Sequence, residues 1–204
     1  MSLVKYNNNS ISAVTSTGLA EGSLVPIKTL TASSSSTLSF VHGSSDVVLD
    51  STYPIYKFEF INIHPATANT IFQFQTSTNG GSSYGVTATT TTFVANHSEA
   101  GNDQNFYYNT FIDLAQSTNY AIINDYYVND NDASGSGTLH LFEPSSTTFA
   151  KHFIADFNNL YKPIYTNRTL SAGYFDSTSV INAVDFKFSS GNIDSGTIDM
   201  YGVK

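Results

Sequence analysis

The chain has 204 residues, 8 basic against 16 acidic side chains, a net charge of −8 and no cysteine. That excludes a disulfide framework, a thiol nucleophile and any cysteine-bearing zinc site. The sole arginine, Arg168, and the scattered lysines cannot build the cation cluster that tracks phosphates, so no nucleic acid is expected as a partner. Charged residues make up only 12% of the chain, about half the usual ~25%, and 28 serines and 24 threonines fill the gap. No stretch reaches the ~20 apolar residues needed to cross a bilayer, so no membrane partner is expected. Met1–Ala20 has one lysine and no continuous apolar run, unlike a secretory signal. Release by cell lysis fits that reading.

Residues 1–25 lack a face that could join a core, and they read as an N-terminal arm. Its apolar side chains, Leu3, Val4, Ile11, Val14 and Leu19, are the candidate partner-binding residues. Residues 26–204 read as one domain. From Pro26 onward the period is two, with strands expected at 26–32 and 36–41. Pro54 opens the clearest strand, in which Tyr56, Phe58 and Phe60 alternate with Lys57, Glu59 and Ile61. In the strand at 71–75, Phe72 and Phe74 oppose Gln73 and Gln75. Further strands are expected at 107–113, 120–127, 138–143, 150–157, 164–174 and 196–203. Near the end Val184, Phe186 and Phe188 alternate with Asp185 and Lys187. Successive strand side chains point to opposite faces, so the aromatics should be buried and the charged and amide residues should face out. Asn79-Gly80 is a hairpin-turn signal, and Asp113–Gln116 is tolerant of a single helical turn. About ten antiparallel strands must close or double up to protect their edges. The expected fold is therefore an all-β, antiparallel two-sheet β-sandwich, jelly-roll-like, with a short N-terminal arm.

No motif here carries catalysis. Gly81-Ser82-Ser83-Tyr84-Gly85 matches a nucleophile elbow in letters only, since a strand-to-helix turn is needed and strand- or loop-forming residues follow. Asp130-Asn131-Asp132-Ala133-Ser134-Gly135 resembles the start of a calcium loop, which makes Asp130 and Asp132 the candidate calcium ligands. The twelfth position, where a bidentate acid is required, is Leu141. A solvated turn is the simpler account, and no cofactor is expected. His42, His64, His97, His140 and His152 never pair at metal-ligand spacing. Glu59 and Asp185 flank Lys57 and Lys187 on the outward face, which suggests cross-strand charge complementarity. The glycosylation triplets at Asn8, Asn96 and Asn167 are chance matches in so Asn/Ser/Thr-rich a chain. One tyrosine of each pair, Tyr107-Tyr108 and Tyr126-Tyr127, should be exposed, as suits a sugar or protein contact.

Three segments carry a resemblance: Tyr53–Thr67 (YPIYKFEFINIHPAT), Ser136–Phe153 (SGTLHLFEPSSTTFAKHF) and Ser189–Val203 (SSGNIDSGTIDMYGV). Together they resemble segments of structural proteins of marine tailed phages, over about residues 26–204. The resemblance implies a non-enzymatic protein at the virion surface, a knob or decoration module on the capsid. Its partners would be capsid or other virion proteins and other copies of itself. The alternative it implies is a tail-fibre or receptor-binding module that recognises host surface glycans.

Overall fold

A computed structural model describes residues 23–161 and 164–204. The described residues form strands β1 (Leu24–Thr31), β2 (Leu38–Val41), β3 (Ile55–Pro65), β4 (Thr70–Ser77), β5 (Ala88–Ser98) and β6 (Gln104–Tyr108). After these come β7 (Ala121–Tyr127), β8 (Gly135–Phe142), β9 (Lys151–Tyr161), β10 (Tyr165–Phe175), β11 (Ala183–Phe188) and β12 (Ile193–Val203). They make a wide sheet in the order β1-β12-β3-β8-β9-β10-β5-β6 and a narrow sheet in the order β2-β11-β4-β7. All pairings are antiparallel. The all-β two-sheet sandwich expected from the sequence is the fold. Its eight-and-four division is broader on one side than the layout of an eight-stranded jelly roll.

No two strands of the narrow sheet are consecutive in the chain. Each is entered from the wide sheet and left for it again. That is why Asn79-Gly80, a hairpin signal, closes no hairpin: β4 and β5 lie in different sheets, and the turn sits inside a crossover. Gly80 and Gly81 there have φ of 68° and 79°, the left-handed region that glycine enters without a Cβ clash. Consecutive strands pair directly only at β5–β6, β8–β9 and β9–β10.

The phenylalanines that alternation places inside are inside. Phe58, Phe60, Phe72, Phe74, Phe186 and Phe188 are buried between the sheets. Phe186 is the centre, its ring 5.1–6.3 Å from those of Phe40, Phe58, Phe60, Phe72 and Phe74. Such edge and offset contacts add about 0.5–1.5 kcal/mol per pair beyond the area they bury.

Several expectations need correction. Ala88–Ser98 is a full strand that alternation did not reveal, because its inward side chains include Thr90 and Thr92. The strand expected at 107–113 lies earlier, at Gln104–Tyr108. Asp113–Gln116 makes no helical turn. It runs beside the start of β5 instead, with the Thr90 N–H donating to the Leu114 carbonyl at 2.9 Å and an Ala88–Ser117 bridge beyond. β1 begins at Leu24, paired with Val203.

Candidate functional site

The outer face of the narrow sheet is not the solvated face the sequence suggested. Gln75 and Asp185 are neighbours across β4 and β11, and both are buried. The crossover after β4 and the segment before β7 lie over them. The Gln75 amide donates to the carbonyls of Val86, Thr118 and Asn119 at 2.9–3.2 Å and so holds both segments down. Asp185 accepts from the Ser39 hydroxyl at 2.5 Å and the Tyr120 hydroxyl at 2.9 Å. Burial pushes its carboxyl above the ordinary range. Lys187 lies over the Tyr120 ring, 4.3 Å from its centre. Lys57 and Glu59 pair within one strand, at 2.6 Å, and not across strands as expected.

A second polar cluster lies beneath β7, beside a small apolar group of Val94, Ile112 and Ile122. Asp125, on β7, accepts from the Asn109 amide at 3.3 Å and the Tyr126 N–H at 2.9 Å. Burial raises its pKa. Asn159, on β9, donates to the Asp125 and Tyr126 carbonyls and accepts from Asn167. Thr169, on β10, donates to Asn124, and Asn124 donates to the Tyr127 hydroxyl. Lys151 is buried as well and donates to the Ser177 carbonyl at 2.8 Å, its pKa drawn down by desolvation. Among the described residues, every buried side-chain nitrogen and oxygen has a hydrogen-bond partner. A buried network of this kind rigidifies a core when it is fully satisfied. The sequence hid it, because Asn, Asp and Thr in a strand look like surface residues.

Aromatic rings turn outward along one flank. There Phe93 of β5 stacks on Phe106 of β6 at 6.0 Å and meets Tyr108 edge-on at 5.3 Å. Tyr107 points to the other side of the sheet, and Phe111 stands in the loop that follows. All five are exposed. Both tyrosines of the 107–108 pair are exposed because β6 is the sheet's edge, whereas Tyr126 is exposed and Tyr127 buried as alternation requires. On the outer face of the wide sheet, Phe142, His152, Ile154, Ala172 and Tyr174 line an open trough of about 480 Å³.

Asp130 and Asp132 stand exposed in the turn before β8, where the Ala133 N–H donates to the Asp130 carbonyl at 2.8 Å. Among the described residues no three His, Asp or Glu side chains gather as a metal site would require. Leu141 is a buried core residue of β8. His64 contacts the Ala133 carbonyl and His42 accepts from the Leu49 N–H. Gly81–Gly85 is loop, with Ser83 bonded to Asn79. Leu3, Val4, Ile11, Val14 and Leu19 lie outside the described residues. The class defined by this geometry is an antiparallel two-sheet β-sandwich with a hydrogen-bonded interior and an aromatic flank. Comparison with protein-family models, curated proteins and solved structures gives no match.

Proposed function

We propose that this chain is a non-enzymatic structural protein of a phage particle, a β-sandwich knob or decoration module at the capsid surface. The observation that carries the reading is the contrast between a satisfied interior and aromatic rings presented to solvent. The acids with raised pKa values, Asp125 and Asp185, are held inside by structural hydrogen bonds, away from any open surface where a substrate would bind. Exposed Phe and Tyr on a rigid sheet suit assembly, since aromatic side chains dominate the energetics of protein contacts. The resemblance of three segments to marine phage structural proteins supports the virion setting. The residues before β1, through Leu3, Val4, Ile11, Val14 and Leu19, are the attachment segment in this reading.

The experiment is to locate the chain in images of the intact particle. Density at icosahedral positions on the shell is expected. Absence of the protein from purified particles would overturn the reading. A chain lacking residues 2–22 should keep its β-sheet spectrum yet fail to join particles that lack the protein. The trough beside Tyr174 favours a second reading, a tail-fibre module for host glycans, because the ring faces of His152 and Tyr174, 6.0 Å apart on its floor, suit the apolar face of a sugar. A vertex-restricted position, with binding to host surface polysaccharide that is lost in Tyr174→Ala, would select it.

A further inference from the structure

We infer that two copies of this chain join through β6, edge to edge and antiparallel, about a two-fold axis at Phe106. Among the described residues no strand pairs with the outer edge of β6. An open edge presents a row of backbone donors and acceptors, and proteins that must stay apart guard it with lysine, proline or a bulge. β6 reads Gln104-Asn105-Phe106-Tyr107-Tyr108 and has none of these. Every residue in it is exposed.

The pattern of backbone bonds fixes the register. The Ser98 N–H donates to the Asp103 carbonyl, and the Asn109 N–H donates to the Thr92 carbonyl. Antiparallel bonding alternates along a strand, so the odd-numbered residues of this segment face β5. The N–H and C=O groups of Gln104, Phe106 and Tyr108 therefore point outward. Self-pairing about Phe106 sets Gln104 opposite Tyr108 of the second copy, Phe106 opposite itself, and Tyr108 opposite Gln104. Each of these is a hydrogen-bonded pair, so every outward group in the strand finds a partner. A residue that faces its own copy is what a two-fold contact requires.

Charge and area favour the same occupant. With a net charge of −8, copies repel over most of their surface, but β6 carries no charge. The flanking acids are already engaged: Asp103 by Tyr165 and Asn105, and Asp113 by Tyr108. In this register Asp103 falls opposite Asn109 of the second copy, not opposite another acid. Phe93, Tyr107, Tyr108, Phe106 and Phe111 are 40, 41, 41, 70 and 95% exposed. With about 150–250 Å² per aromatic side chain, that leaves roughly 600 Å² per copy. Covering it on two copies would bury about 1,200 Å², where specific interfaces begin. The inference stands apart from the virion reading, because it concerns the isolated chain.

The test is the mass of the full chain in solution, by sedimentation over a wide concentration range. Twice the chain mass is expected, falling to the single chain mass in Phe106→Lys with an unchanged β-sheet spectrum. Should Phe106→Lys misfold, Phe106→Cys decides, since the chain has no other cysteine. Facing Cα atoms about 5.5 Å apart in a hydrogen-bonded pair lie within disulfide reach, so mild oxidation should give a covalent dimer. A monomer at every concentration, a trimer, a dimer indifferent to Phe106→Lys, or no cross-link in Phe106→Cys would overturn the inference.

Discussion

The interior of this sandwich has two halves built on different chemistry. Under β11 and β4 it is a continuous aromatic stack centred on Phe186. Under β7, beside a small apolar group of Val94, Ile112 and Ile122, it holds a lattice of Asn109, Asn124, Asp125, Asn159, Asn167 and Thr169. The aromatic half gains from burial at roughly 25 cal/mol per Å² and tolerates some slack in geometry. In the polar half each bond adds only about 0.5–1.5 kcal/mol net, yet an orphaned buried group costs about 1–3 kcal/mol. One half drives the fold, and the other punishes departures from it.

The sharpest way to break the comparison is at Phe186. Phe186→Ala removes the ring at the centre of the stack and should destabilise the protein by about 3–5 kcal/mol in urea unfolding. A loss below 1 kcal/mol would mean that the stack is not the core. In the polar half, Asn159→Ala leaves Asn167 and two β7 carbonyls without their partner. It should cost about 1–3 kcal/mol, with crystals or amide spectra showing the change confined to β7, β9 and β10.

Asp125 separates the halves by pH. Burial raises its carboxyl above the ordinary value of 3.8, so the native state holds the proton more tightly than the unfolded chain does. The stability tied to that proton is fully present below 3.8 and is lost as pH rises through the raised value. Relative to Asp125→Asn, which cannot ionise, the natural chain should therefore lose thermal stability as pH rises from acid towards neutral. A difference that stays flat with pH would show that the carboxyl is not buried as described. The smallest effect is expected on the outer face of the wide sheet, at the partly exposed Lys57–Glu59 pair. There Lys57→Ala should change unfolding free energy by less than about 1 kcal/mol.

These halves also differ in how far the sequence revealed them. Phe58 and Phe60, Phe72 and Phe74, Phe186 and Phe188 alternate with polar residues, and a period of two suffices to place them inside. β5 escaped because Thr90 and Thr92 occupy the inward positions that an apolar residue would have marked. Gln75 and Asp185 were misplaced for a related reason. Alternation correctly put them opposite the aromatics, but it cannot show that two crossover segments cover that face. The flank at β6 was half legible: the adjacent tyrosines pointed to a contact surface. The stacking of Phe93 on Phe106 depends on strand pairing that no local pattern encodes.

Hydrogen exchange at individual backbone amides tests most directly the claim that both halves form one cooperative core. Amides in ladder hydrogen bonds of β7 and β10 are predicted to exchange only by global unfolding, as slowly as those of β4 and β11. Exchange in β7 and β10 that is orders of magnitude faster, with β4 and β11 still protected, would contradict it and make the polar half a separately opening layer.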